Sequence, residues 1–431
     1  MPVLPDQRAD FRADAIGKTP PLAADLPVRT APWPPWPCFA QDEIEEVVAV
    51  LRSGKVNYWT GEQGRQFEKE FAEFCGCRYA VALANGTVAL ELALHALGIG
   101  RGDEVVTTSR TFIASASAVV MRGATPVIAD VDPVSQNLTA ETVRRVLTPR
   151  TRAIIAVHLA GWPCDMAPLL ALARERGLKI IEDCAQAHGA SYRGSQVGSL
   201  GDVAAFSFCQ DKIMTTGGEG GMLTTNDREL WQRAWAFKDH GKNYDVVYGQ
   251  PHTGGFRWLH ESFGTNWRMT EMQAAIGRIV LPKTIAWVST RRRNAAILTN
   301  FFRQIPALRV TEPNPDIFHS YYKYYVFVRT EQLNEGWDRD RIAAAVNAEG
   351  VPCHTGSCSE IYLEKAFKQM GFGPVSRLPV AEELGRTGLM FLVHPTTGER
   401  EMRDICMAVE KVFKHAAKSF AGTRDDSCRV H

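Results

Sequence analysis

One lysine, Lys212, stands in the stretch SFCQDKIMTTGGEGG between a short apolar run and a segment in which four of the next nine residues are glycine. Glycines at that density let backbone run close to another group, so an amine beside them is a phosphate-binding point charge or a nucleophile. Two other motifs carry residue types that could work with it. In ANGTVALELAL, Asn85, Gly86 and Thr87 fall between a strand pattern and a helix pattern, where free N–H groups and the helix dipole favour a phosphate. In KIIEDCAQAHG, Glu182 and Asp183 end an apolar run and precede Gln186 and His188; a carboxylate buried at a strand end needs a cation or several donors. Taken singly, each has a plain structural reading: a turn, an N-cap and a solvated loop lysine. A Walker A loop is excluded because the glycines follow the lysine, and no G-x-G-x-x-G is completed after a strand. Taken together, the three are the parts that pyridoxal 5′-phosphate (PLP) requires. They supply donors for its phosphate, an anion that keeps its pyridine nitrogen protonated, and an amine that forms a Schiff base and later carries protons.

Such residues must be held by elements that converge. From Tyr79 the chain alternates strand patterns (YAVALA, EVVTT, TPVIA, AIIAVHL, LKIIED, VAAFSF, MLTT) with helical ones (VALELALHAL, IASASAVVMRG, MAPLLALARERG). This predicts an α/β fold, a parallel or mostly parallel sheet covered on both faces by helices, with ligands at the carboxyl ends of its strands. Ahead of it, DEIEEVVAVLRSG predicts a helix with Asp42 and Glu45 as a capping-box start, Ile44, Val47, Val48 and Leu51 at helical spacing, and Gly54 as C-cap. After about residue 280 the texture changes to a smaller α+β unit. It has a long polar helix in AWVSTRRRNAAILTNFF, a strand in HSYYKYYVFV, a helix in RDRIAAAVNAEG, and a last helix with Met402, Ile405, Val409, Val412 and Phe413 on one face. Nine of the 23 prolines lie in the first 37 residues, which forbids regular helix or central strand there. The expected organisation is an N-terminal arm at 1–27, a large domain at 28–285, a small C-terminal domain at 286–417 and a frayed tail at 418–431.

Composition narrows the function. The 431 residues suffice for two or three units with sizeable cores. Lys plus Arg number 49 against 48 Asp plus Glu, so no global field exists to hold a nucleic acid or an anionic membrane. The ten cysteines are too irregularly spaced for a disulfide framework, and fit reduced thiols in the cytoplasm. CGC at Cys75–Cys77 and CHTGSC at Cys353–Cys358 lack a second pair at zinc spacing, so no metal is expected. No signal peptide is evident at the amino terminus, and no run approaches the ~18 apolar residues of a membrane span.

With these motifs in view, the chain resembles the sugar aminotransferases of the DegT/DnrJ/EryC1/StrS family, within fold type I of PLP enzymes. The resemblance runs from FAQDEIEEVVAVLRSGKVNYWTG to MFLVHPT. NGTVALELALHALGIGRGDEV, RTFIASASAVVMRGATPVIADVD, EDCAQAHGA, GDVAAFSFCQDKIMTTGGEGGM and NWRMTEMQAAIG carry it jointly. It implies that Lys212 is the Schiff-base lysine and proton shuttle and that Asp183 partners the pyridine nitrogen. It also implies that Gln186 bonds the ring hydroxyl, that Gly86, Thr87 and Ser207 hold the phosphate, and that Phe112 stacks on the ring, core packing being the alternative for Phe112. A homodimer is implied, in which Asn266 of the partner subunit reaches the phosphate. Thr60, Arg268 and His319 are implied substrate contacts, with packing as the alternative for His319. The implied activity moves an amino group from an amino acid, L-glutamate foremost, to a nucleotide-linked keto-sugar. Two alternatives stay open: a glutamine-dependent aminotransferase of a cyclic polyol ketone (scyllo-inosose type), and a non-catalytic regulatory member. A sugar 3-dehydratase of the family would carry histidine in place of Lys212.

Overall fold

The structure, a computed structural model, describes residues 26–249 and 257–419. The expected arm at 1–27 and tail at 418–431 lie almost wholly outside the described residues. The strands that open the chain are β1 (Tyr79–Leu83), β2 (Glu104–Thr108), β3 (Thr125–Ala129), β4 (Thr151–Val157) and β5 (Lys179–Asp183). A small hairpin, β6 (Ser191–Tyr192) and β7 (Ser195–Gln196), precedes β8 (Val203–Ser207) and β9 (Gly221–Thr225). Seven of them form one sheet in the order β1-β9-β8-β5-β4-β2-β3. Only β9 runs against its neighbours, being antiparallel to both β1 and β8, while the other pairs are parallel. The carboxyl ends of the six parallel strands therefore share one edge, and the loops leaving that edge carry every cofactor motif named above.

The strands read as near-continuous apolar runs because both sheet faces are covered. Along β1, Val81 and Leu83 join a core with Leu90, Val119 and Ala234 from the helices Gly86–Ala96, Ala114–Met121 and Arg228–Lys238. Ala80 and Ala82 point the other way, toward Phe67, Phe71 and Ala274 on the helices Gln63–Cys75 and Glu271–Val280. This is the period-two alternation of a strand.

The carboxyl-terminal part builds a second core. Its strands are β10 (Leu308–Arg309), β11 (Ile317–Phe318), β12 (Tyr324–Val328), β13 (Cys353–His354) and β14 (Gly388–Phe391). Four of them make an antiparallel sheet, β10-β12-β14-β13, whereas β11 pairs with β6 of the hairpin. The helices Thr284–Phe302, Arg339–Ala348 and Glu399–Ala416 pack on that sheet, and Met402, Ile405, Val409, Val412 and Phe413 are all buried there, as their spacing requires.

The first helix differs from the expectation. It spans Gln41–Ser53, its N-cap is Ala40, and the carboxylate that closes back on the Ala40 N–H belongs to Glu43, not Glu45. Glu43 is favoured because Lys283 Nζ holds its other oxygen at 2.8 Å. The spaced apolar residues also face outward: Ile44, Val48 and Leu51 are 49%, 36% and 53% exposed. No helix among the described residues is long and apolar enough to cross a membrane.

Candidate active site

At the end of β1 the chain turns directly into the helix Gly86–Ala96. Asn85 is its N-cap, and its Oδ1 accepts the Val88 N–H at 3.0 Å. The N–H groups of Gly86 and Thr87 receive no acceptor among the described residues, so the first turn offers free donors at the positive end of a helix dipole. Two glycines make that turn possible. A Cβ on Gly221 would lie 2.3 Å from the Asn85 carbonyl oxygen, and a Cβ on Gly86 would lie 2.6 Å from Ser207 Cβ. The last of the glycines after Lys212, Gly221, thus serves a close approach of β9 to the turn at Asn85, while Gly217, Gly218 and Gly220 take positive φ in the loop before it. Gly86→Ala must push that turn away from Ser207 at a cost of about 1–3 kcal/mol. The expected result is a cofactor dissociation constant raised at least about tenfold in a fluorescence titration, with unchanged affinity as the contrary outcome.

Glu182 and Asp183, adjacent at the end of β5, have opposite environments because side chains alternate along a strand. Glu182 points away from the cavity. It accepts the N–H groups of Gly198, Leu200 and Gly201 at 2.8–3.0 Å and meets His158 Nε2 at 3.0 Å. Burial alone would raise its pKa, but His158 and these backbone donors outweigh burial and hold the carboxyl below its ordinary value. With both oxygens engaged, Glu182 is a structural anchor, although His158 and Cys184 beside it are of metal-ligand type. Asp183 is 5% exposed and lines the cavity. It accepts the Ser115 hydroxyl at 2.8 Å and the Ala185 N–H at 3.2 Å. Burial raises its pKa, and these two donors with the more distant Lys212 offset that only in part. Asp183 is an under-compensated buried anion, suited to a cation arriving in the cavity.

Lys212 follows β8. Its Nζ is 3.9 Å from Asp211 Oδ1 and 5.1 Å from the centre of the Tyr322 ring. Its backbone carbonyl accepts the Trp36 indole N–H at 2.8 Å. The Pro/Trp-rich stretch of the sequence therefore lies against the lysine loop, with Arg29 anchored to Glu401 and Asp404 at the far end of the same segment. Gln186 Oε1 accepts the Ala160 N–H at 2.8 Å, and its amide NH₂ makes no hydrogen bond among the described residues. Phe112 is 67% exposed, so the core-packing alternative for it does not hold. Gly86, Thr87, Phe112, Asp183, Gln186, Ser207 and Lys212 all line one cavity of about 1730 Å³.

The DegT/DnrJ/EryC1/StrS aminotransferase family matches residues 37–410. The chain belongs to that family. An aminotransferase structure from Psychrobacter cryohalolentis is 55% identical, covers 89% of this chain and 99% of its own, and superposes with a TM-score of 0.88. GDP-perosamine synthase of Caulobacter vibrioides is 38% identical over 364 residues, 82% of this chain and 92% of that protein. The S. venezuelae DesV structure, solved in complex with a ketimine intermediate, is 35% identical with a TM-score of 0.76, covering 86% of this chain and 93% of its own.

As a member of this family the chain is a PLP-dependent aminotransferase of fold type I. Its residues fit the cofactor on two observations: the turn that Gly86 keeps open against Ser207, and the buried Asp183 carboxylate that lacks a cation. Other expected site residues do not reach the cavity of their own chain. Asn266 is exposed, and its Oδ1 meets only the Arg268 N–H, at 3.4 Å. Arg268 is ion-paired with Asp239 at 2.7 Å. Thr60 is exposed and its hydroxyl donates to the Asn57 carbonyl. His319 is buried, stacked on Tyr321 at 3.7 Å, with its Nδ1 accepting the Tyr321 N–H and burial pushing its pKa down to about 3. His188 is likewise a neutral core group, against Phe206 and Phe208. Sequence reasoning missed Ser115, Trp36, Tyr322 and Lys323. Lys323 alone had a local signal, a charge in the middle of the strand-forming run YYKYYVFV.

Proposed function

We propose that this aminotransferase moves an amino group from L-glutamate to a keto-sugar linked to a nucleotide. The observation that carries the reading is the size of the cavity. At about 1730 Å³ it exceeds the roughly 300–1,000 Å³ of an ordinary small-molecule site, leaving space for a large second ligand beside the cofactor. The names of relatives such as GDP-perosamine synthase support the same substrate class.

When bound, PLP supplies an electron sink that stabilises negative charge at the carbon losing a proton. The chain's residues do the rest. The free N–H groups of Gly86 and Thr87 and the Ser207 hydroxyl hold the phosphate. Asp183, positioned by Ser115 and Ala185, keeps the ring nitrogen protonated. The free amide end of Gln186 donates to the ring hydroxyl, and Phe112 covers one ring face. Lys212 Nζ, in the same cavity, would hold the cofactor covalently, and its free amine would take and return the proton. The order of events is ping-pong, since donor and acceptor use one cavity in turn.

The protein acts as a cytoplasmic homodimer in this reading. Ile44, Val48 and Leu51, with Phe263 at 99% exposure, leave apolar surface that a second copy would cover. Asn266, exposed and not part of its own cavity's lining, is then available to the neighbouring one, and Thr60 and Arg268, likewise outside that lining, are assigned to substrate there. The test is a donor screen on the yellow holoenzyme, read as bleaching, followed by mass spectrometry of products from a panel of nucleotide-linked keto-sugars. Bleaching by glutamate and an amino-sugar product are expected. A holoenzyme that glutamate leaves yellow, or that aminates only a cyclic polyol ketone, contradicts the reading.

A further inference from the structure

Lys323 has no part in the roles assigned above, yet it lines the same cavity, immediately before β12, with its side chain 18% exposed. Its Nζ lies 3.9 Å from Asp211 Oδ2 and 4.6 Å from the centre of the Tyr322 ring, and it makes no hydrogen bond among the described residues. Asp211 is shared: it accepts the Tyr322 hydroxyl, and its other oxygen is 3.9 Å from Lys212 Nζ. Two amines thus flank one carboxylate, each 3.9 Å from one of its oxygens.

Charge decides what this second amine is for. The cavity wall carries five carboxylates against three cations, Lys212, Lys323 and Arg341. Lys212 is committed to the cofactor. Arg341 is exposed at the rim, lying over the Trp337 ring and donating to the Gly336 carbonyl. Every amino-acid donor brings a carboxylate into this predominantly anionic space, where like charge repels it unless a cation is in reach. Of the two uncommitted cations, Lys323 is the one set among buried groups, its side chain 18% exposed and its ammonium without a hydrogen bond among the described residues.

We propose that Lys323 binds a carboxylate of the amino-acid donor, which makes it a determinant of donor recognition. This rests on the reading that an amino acid is the donor. Burial brings the ammonium down to about 8, with Asp211 opposing and Arg291 and Lys212 adding to the fall. His354 and His394 also face it, and burial pushes both of them down, His394 to about 3. Tyr322 is pushed up by burial and Asp211 is held low. Of the groups shifted here, Lys323 is the one brought down to about 8, and buried Arg291 is brought down to about 9. A carboxylate ligand is therefore held below pH 8 and weakened as pH rises through it.

The experiment uses the holoenzyme and two probes: glutarate, a dicarboxylate without an amine, and GDP, a nucleotide diphosphate. Dissociation constants are measured by calorimetry from pH 7 to 9, alongside the glutamate KM of the donor half-reaction. In Lys323→Met and Lys323→Gln, glutarate dissociation and glutamate KM should both rise about 10- to 100-fold, the loss of one charge-assisted hydrogen bond. GDP affinity should change less than about twofold, and cofactor absorbance should stay intact. Lys323→Arg should restore glutarate binding and remove its weakening above pH 8, since a guanidinium stays charged. Unchanged glutarate binding in the Met and Gln variants overturns the inference. So does a loss that falls on GDP instead, which would assign Lys323 to the acceptor's diphosphate. A wild-type holoenzyme that reacts with no amino acid overturns the donor reading itself, and a transaminating wild type with an indifferent Lys323 overturns this inference alone.

Discussion

Lys212→Ala is expected to reduce turnover at least about 10³-fold, since removing an amine that serves both covalent attachment and proton transfer forfeits two catalytic contributions. The variant should still fold. Lys212 is half-buried, and its one ion pair among the described residues is the 3.9 Å approach to Asp211, a group that keeps Tyr322 and Lys323 as partners. It should also still bind the cofactor through the turn at Gly86 and through Asp183, but non-covalently. Borohydride reduction followed by peptide mapping separates these statements. In the wild type the reduced cofactor should remain on the peptide containing residue 212, whereas in the variant it should wash out. Normal turnover in Lys212→Ala, or a label on another lysine of the wild type, would sink the assignment. Lys323, the second amine beside Asp211, is the alternative attachment point that the mapping must exclude.

Asp183→Asn should have the second largest effect, with two signs. The amide keeps the shape, its single oxygen accepting the Ala185 N–H while its NH₂ donates to the Ser115 hydroxyl oxygen, which accepted nothing from the carboxylate. It loses the charge that keeps a ring nitrogen protonated, so turnover should fall about 10²- to 10⁴-fold. Stability without cofactor should move the other way. Burial raises the folded-state pKa of Asp183 above its ordinary value. For a carboxyl shifted upward, the unfolded state releases its proton first, so stability falls as pH rises from the unfolded pKa through the folded one. At neutral pH the charged Asp183 is thus a destabilising group in the cofactor-free protein, and the neutral Asn should match or raise its Tm. Cofactor binding supplies the missing cation, so adding PLP should raise the Tm of the wild type more than that of the variant. Equal cofactor-induced shifts in the two proteins, measured by calorimetry at pH 7, would contradict the role.

What the residues announced locally depended on chemistry that is itself local. Asn85, Gly86 and Thr87 were legible as a capped helix start because an N-cap and the first helical residues are consecutive. The sheet was legible because strands buried on both faces must be apolar throughout, and the alternation with helical periods survives any tertiary detail. The first helix was legible as a helix, but its buried side was not. Its apolar residues satisfy the periodicity while facing outward, and periodicity says that a face is to be covered without saying by what.

The sequence by itself determined the α/β class and the cofactor, because the phosphate turn, the strand-end carboxylate and the glycine-flanked lysine, each with a plain reading alone, are jointly what PLP requires and occur in one alternating α/β unit. Only the tertiary structure decided that Ser115 meets Asp183 across 68 residues, that Tyr322 meets Asp211 across 111, and that Trp36 reaches the Lys212 carbonyl across 176. It also decided that His319 is packed away from the cavity while Lys323, four residues on, lines it. The physical reason is that such pairs form when strand order and loop closure bring distant segments together, and nothing in either segment's own composition or period records its partner.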